Sequence, residues 1–425
     1  MLWELFSFNP PSLKLYVHLC ASSPYLSGIH TSNPGMIDDL MDSLVLDKLP
    51  TLEGLERTLA DLCRGAEDLE PILHSFKNAL HLRVGVRDIL GKEDIQNSHR
   101  ALSDIAEVCL KEIARREFDR LVEKHGEPTN VDGPRASQAT SFIILAMGKL
   151  GGREPNYHSD LDVVFLYEAE GTTRPLRPSQ RGNVTSNQHF FSQLGQRIMK
   201  VVTHLGPYGV LYELDPRLRP TGRSGSLVCS LDEFARYFAD GEGQLWERQA
   251  LCKARPVFGS PEAREQTMAI VRHCLMNPPW RAEFADEIRA MRQRLEETAS
   301  KRNLKRGPGG TVDIEFAVQM LQLRHAADSP SILVPSTLDA IAALRDADHI
   351  SADDADFWNK SYRFLRSIES GLRLMNTSAR HDLPEDPAEL AKLAFLLGHK
   401  ISATVQTQCE NFTTNNRLRF ARLQI

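Results

Sequence analysis

The stretch from Gly148 to Tyr167 reads GKLGGREPNYHSDLDVVFLY, a glycine turn followed by Asp160 and Asp162 at the head of an apolar run. Side chains in a strand alternate faces, so both carboxylates project to one side while Leu161 and Val163 pack on the other. Two carboxylates forced together in this way favour a divalent cation. Hard oxygen ligands beside a turn whose backbone can approach a phosphate describe a Mg²⁺–nucleotide site. The run from Asp160 therefore reads as a strand whose first residues face a polar pocket.

Phosphoryl and nucleotidyl transfer gain from two metals, so a third carboxylate is expected. Asp215 closes a predicted strand, Val210 to Asp215, and is the candidate; Glu213 has the same parity and competes with it. Arg217 and Arg219 share that parity if the strand continues, and their planar forks suit phosphate oxygens, or else neutralise the acidic cluster. Lys149 and Arg153 flank the glycine turn, where they either touch a triphosphate or stay solvated. Glu247, Lys253 and Arg255 follow on a predicted helix from Leu245 to Arg255, facing the cleft or pairing with each other. Asp313 and Glu315 fall in the first turn of a later helix, where negative charge is favoured in any case. His158 reads as a hydrogen-bonding turn residue rather than a ligand. No Ser-His-Asp set, Walker loop, HExxH or dinucleotide fingerprint is present, which leaves hydrolase and dehydrogenase readings without support.

Around this segment the pattern is mostly helical. Met36 to Lys124 is helical, and the Gly, Pro, Asn and Asp residues of 126–137 mark a boundary. Then come a strand at 142–147, a turn at 148–159, a strand at 160–167, a polar loop, and a helix with the stripe Phe190, Leu194, Ile198, Val201 and Leu205. The strand at 210–215 leads into a glycine-rich hairpin to Val228. Beyond about Ser260 the chain is helical again, interrupted by the basic, glycine-rich Lys305 to Gly310, and 411–425 carries too little periodicity for a regular element. The expected fold is α+β and predominantly helical, with an N-terminal helical region (1–135), a small mixed-sheet domain (136–260) and a C-terminal helical bundle (261–425). Among 425 residues, 51 basic against 56 acidic give a formal charge of −5, unlike a nucleic-acid scaffold. Seven scattered cysteines without a Cys-x-x-Cys pair suit a reducing compartment and offer no zinc or disulfide framework. Polar interruptions at Asn9, Pro10, Pro11 and Lys14 break any signal-like start, and no window approaches a membrane span. The expected address is the cytoplasm, with neither membrane nor nucleic acid as partner.

Taken together, Gly148-Lys149-Leu150-Gly151-Gly152-Arg153-Glu154 with Ser159-Asp160-Leu161-Asp162, Asp215-x-Arg217-Leu218-Arg219-Pro220-x-Gly222, Trp246-Glu247 with Lys253-Ala254-Arg255, and Gly309-Gly310-x-x-Asp313-Ile314-Glu315-Phe316 resemble the glutamine synthetase adenylyltransferase family. The resemblance runs from the Ala21 to Leu26 lead-in to about His325. It implies a DNA polymerase β-like nucleotidyltransferase domain followed by a helical bundle. It also implies transfer of AMP from ATP to a tyrosine hydroxyl of glutamine synthetase, with Mg²⁺, two ions by expectation, on Asp160, Asp162 and Asp215. By the same carry-over Gly148, Lys149, Gly151, Gly152, Ser159, Arg217 and Arg219 bind the nucleotide, and the PII signal protein is a second candidate partner. Family members usually carry two such halves, one adenylyl-removing and one adenylyl-adding. Only one copy is present here, and Thr221 with the helical lead-in looks more like the adding half. Pro155 and His158 depart from the family's usual apolar and small residues at the pocket rim, and the single half bears on control by glutamine and PII. Three alternatives remain at this point: phosphorolytic removal of AMP, a catalytically silent module that docks on glutamine synthetase, and a related uridylyltransferase, whose motifs fit poorly.

Overall fold

A computed structural model describes residues 10–32, 35, 48–130 and 138–423, so the parts of the predicted helical region and boundary at 36–47 and 131–137 lie outside the described residues. The N-terminal helices are α1 (Pro10–Ser22), α2 (Pro24–Ser32), α3 (Leu52–Cys63), α4 (Glu70–Ile89) and α5 (Ile95–His125). Helix α5 starts where the Asp94 carboxylate accepts the N–H groups of Gln96 at 2.8 Å and Asn97 at 3.0 Å. It stops at Gly126, whose φ of 86° is open to glycine and whose absent Cβ would lie 2.3 Å from the Arg174 carbonyl oxygen.

The central part follows as β1 (Glu127–Asn130), β2 (Phe142–Ala146), α6 (Gly148–Gly151), β3 (Leu161–Tyr167), β4 (Gly171–Arg174), α7 (Asn187–Thr203), β5 (Leu214–Asp215), β6 (Val228–Ser230), α8 (Leu231–Ala239), α9 (Leu245–Leu251) and β7 (Arg255–Phe258). Strands β5, β3, β2 and β7 lie in that order, with β6 also on β3. Strand β2 is antiparallel to β3 and β7, whereas β5 and β6 run parallel to β3. A separate ribbon joins β1 to β4.

The mixed sheet carries apolar side chains on both faces, which is why β2 and β3 read as continuous runs rather than alternating ones. Leu161, Val163, Phe165 and Tyr167 join a core with the N-terminal helices and α7. Val164 and Leu166, with Ile143 and Leu145 of β2, join a second core. That second core is built with α10 (Pro261–Met276), α11 (Ala282–Glu297), α12 (Thr311–His325), α13 (Thr337–Asp346) and α14 (Ala352–Leu374). A third cluster links α14 to α15 (Pro387–Leu396) and α16 (Ser402–Arg422). The chain is therefore α+β and predominantly helical, as expected.

Four local expectations are corrected. The strand predicted at 210–215 keeps only its last two residues, because β3 offers partners only at Leu161 and Asp162 and Pro216 ends the ladder. No hairpin follows it; the chain turns through a short 3₁₀ segment at Gly222–Ser224 and returns parallel as β6. The helix predicted from Leu245 to Arg255 ends at Leu251, and Arg255 instead opens β7 against β2. Residues 411–422 are helical as the end of α16, held by Val405, Cys409 and Phe420, whose burial outweighs the weak periodicity.

Candidate functional site

Parallel pairing of β3 with β5 sets Asp162 directly opposite Asp215, and the Leu161 N–H donates to the Glu213 carbonyl at 2.8 Å. Asp160 stands one residue before β3. Carboxylate oxygens of Asp160, Asp162 and Asp215 all come within 4.8 Å of one another, and among the described residues no other group of three acidic, histidine or cysteine ligands does so. Glu213 lies outside the trio. Behind them Gly148 takes φ 51°, and a Cβ there would sit 2.2 Å from Asp162 Oδ2. Glycine at 148 is thus a condition for the carboxylate's position.

Burial, and then the charges of Asp160 and Asp215, push the Asp162 carboxyl up to about 7. Asp215 moves the other way, held below the usual carboxylate range by its hydrogen bonds from Arg217, whose Nε donates to both of its oxygens at 2.7 Å. A crowded, partly desolvated trio of this kind fits a divalent hard cation, which would relieve the repulsion that raises Asp162.

Asp160 and Asp215 of the trio line a cavity of about 770 Å³, together with Glu213, Arg217, Arg219, Arg223, Lys305, Arg306 and Arg373. Arg219 points back into its own loop, donating to the Pro216 carbonyl at 2.7 Å. Ser159 receives a hydrogen bond from Arg373 at 3.1 Å. His158 adopts φ 56° and packs edge-on against Tyr25 at 4.3 Å, in keeping with a turn residue.

The glycine turn is anchored from behind. Gly151 and Gly152 already donate their N–H groups to the Met147 and Gly148 carbonyls, and a Cβ at Gly151 would lie 1.8 Å from the Lys253 carbonyl oxygen. Arg255 donates to the Gly151 carbonyl at 3.0 Å and pairs with Glu107 on α5. Lys149 pairs with Glu315 and reaches the Tyr362 hydroxyl at 3.1 Å. Lys253 reaches Glu154 at 2.8 Å, and Glu154 also accepts the Thr337 N–H at 2.6 Å and the Tyr362 hydroxyl at 3.1 Å. Burial opposes charge here, yet the lysines hold Glu315 down to about 2, while burial brings Lys149 down to about 8. Glu247 caps α9, accepting the Gln244 N–H at 2.8 Å. Asp313 is fully buried against Arg292. Lys149, Lys253, Arg255 and Glu315 therefore brace the glycine turn, Asp313 holds the Gly309 loop, Glu247 caps α9, and none of the six joins the carboxylate trio.

Sequence reasoning passes over Arg223, Lys305, Arg306 and Arg373 as cleft residues. Lys305 and Arg306 carry a signal, a basic pair inside a glycine-rich interruption; Arg373 lies in an ordinary helical pattern and carries none.

Residues 13–270 match the family described as glutamate-ammonia ligase adenylyltransferase, and residues 282–423 match one described as PII-uridylyltransferase. Bifunctional glutamine synthetase adenylyltransferase/adenylyl-removing enzymes are similar to the chain. The one from Idiomarina loihiensis is 37% identical over 341 residues, covering 77% of this chain and 35% of the relative. Those of Thioalkalivibrio sulfidiphilus and Streptomyces coelicolor are 34% and 33% identical, covering 89% and 80% of this chain and 40% and 33% of theirs. The chain thus spans between a third and two fifths of the length of these relatives.

Proposed function

The chain belongs to the glutamate-ammonia ligase adenylyltransferase family, and from that premise we propose that it transfers AMP from ATP to a tyrosine hydroxyl of glutamine synthetase, with Mg²⁺ as cofactor. The convergence of Asp160, Asp162 and Asp215 carries this reading, because a docking module has no use for three carboxylates held within 4.8 Å. These side chains would hold the metal, which when bound neutralises charge on the phosphates and lowers the pKa of the attacking hydroxyl. The tyrosine oxygen attacks the α-phosphorus in line and pyrophosphate leaves. Asp215, expected to draw the hydroxyl's proton, is already engaged by Arg217, so this guanidinium must turn toward phosphate as the substrate arrives. Arg217 is exposed enough to do so.

The test is mass spectrometry of purified glutamine synthetase after incubation with the protein, ATP and Mg²⁺. One AMP on a tyrosine, absent with Asp160→Asn, is the expected result; an Asp160→Asn variant working at the parent rate would overturn the assignment. Release of ADP from adenylylated glutamine synthetase and phosphate would reverse the direction and assign removal.

A further inference from the structure

The loop between α11 and α12 presents Lys305 and Arg306 to the cleft, and neither side chain makes a hydrogen bond or ion pair among the described residues. The other cations of the cavity are mostly engaged: Arg217 on Asp215, Arg219 on its own loop, Arg373 on Glu369 and Ser159.

The backbone beneath this pair is held in one conformation. Asn303 Oδ1 accepts the N–H groups of Lys305 at 3.1 Å and Arg306 at 2.8 Å. Arg292, wholly buried, donates to the Gly307 carbonyl at 2.7 Å and pairs with the equally buried Asp313, which accepts the Gly309 N–H at 3.0 Å. Asn416 on α16 donates to the Gly309 carbonyl at 2.8 Å. Gly309 sits at φ 71° with the Thr413 carbonyl 1.7 Å from where a Cβ would be. A buried ion pair adds little net stability over apolar packing, but it is costly to break, because either partner alone is an uncompensated buried charge. What it fixes here is the path of a loop whose exported product is two unneutralised cations. Rigid support behind side chains that have no partner among the described residues marks a preorganised ligand contact.

We propose that the Lys305–Arg306 loop is the phosphate-chain subsite of the cleft, supplied by the C-terminal bundle to the carboxylate-bearing sheet. A lysine point charge beside an arginine fork suits phosphate oxygens that the carboxylates themselves repel. Two sources share that chemistry: the outer phosphates of a nucleoside triphosphate, and free inorganic phosphate. The inference rests on the nucleotide reading of the cleft.

The experiment is isothermal calorimetry of the full chain with Mg·ATP, Mg·AMP and inorganic phosphate, comparing the parent with Lys305→Met, Arg306→Met and the double variant. Neither side chain has a hydrogen bond or ion pair among the described residues to give up, so the thermal midpoint stays at the parent value. Removing one charge-assisted hydrogen bond to phosphate weakens binding by about tenfold. A triphosphate site gives a double variant about a hundredfold weaker for Mg·ATP and within about twofold for Mg·AMP. A free-phosphate site weakens inorganic phosphate alone. Parent and double variant agreeing within about twofold for ATP and for phosphate overturns the subsite while the nucleotide reading stands. A parent that binds none of the probes overturns both. Normal ATP dependence without AMP transfer removes only the transfer reading.

Discussion

Gly148 and Asp162 form one steric unit. A methyl at 148 would collide with Asp162 Oδ2, and the backbone there is left-handed, which costs a non-glycine residue about 1 kcal/mol before any clash. Gly148→Ala should therefore displace the carboxylate and abolish Mg²⁺-dependent ATP binding while lowering the thermal midpoint by only a few degrees. Calorimetric titration with Mg·ATP checks this, and parent-like affinity would show that the carboxylate tolerates displacement. Asp162 also makes stability depend on pH. Its folded carboxyl is raised to about 7 from an ordinary value near 4, so between those values the folded state binds the extra proton. Stability then falls as pH rises from about 4 to 7, by at most about 4 kcal/mol at roughly 1.4 kcal/mol per unit. Asp162→Asn should remove that slope and make the metal-free protein more stable than the parent at pH 8. Urea titrations at pH 5 and pH 8 measure it; a parent that gains stability across this window through Asp162 would contradict the assignment.

Strands β2 and β3 and the helices α7, α12, α13 and α14 are legible in the sequence because their apolar patterns are long, and several of their starts are marked by capping residues such as Ser186, Ser336 and Ser351. Short strands are not. The two residues of β5 and three of β6 are defined by partners on β3, far away in sequence, and β7 follows a helix with no breaker but a short turn. For the site, Asp160, Asp162 and Asp215 are readable because strand parity is local. The bracing roles of Lys149, Lys253 and Glu315 are not, since their partners Glu154, Thr337 and Tyr362 come from separate elements. Glu154 is the centre of that network, and removing it leaves Lys253 buried without an acidic partner. Glu154→Ala should cost about 3–5 kcal/mol in urea unfolding, as breaking one side of a buried pair does. A loss below about 1 kcal/mol would show that water or Thr337 compensates.

On the scale of the whole molecule, the sheet has no face of its own to spare. Its N-terminal side is closed by α4, α5 and α7 through Phe142, Ile144, Val163 and Phe165, and its other side by the C-terminal helices through Ile143, Leu145, Val164 and Leu166. The Glu154 network and the pair of Arg255 with Glu107 tie the same glycine turn to both helical regions. Among the described residues no helix is long and apolar enough to cross a membrane. We propose that the three parts divided at 135 and 260 fold together and that the central part does not fold independently. A fragment of residues 136–260 would expose two apolar faces at once, each CH₂ returned to water costing about 0.8 kcal/mol, far beyond the small net stability of a domain that size. It should aggregate or bind a hydrophobic dye, whereas the full chain should unfold in one calorimetric transition with equal calorimetric and van't Hoff enthalpies. Two separated transitions, or a soluble fragment with a cooperative melt of its own, would show that the nucleotide cleft is assembled from independent bodies. The Lys305–Arg306 loop and the carboxylates would then be free to move apart, and their distance would be set by ligand rather than by a shared core.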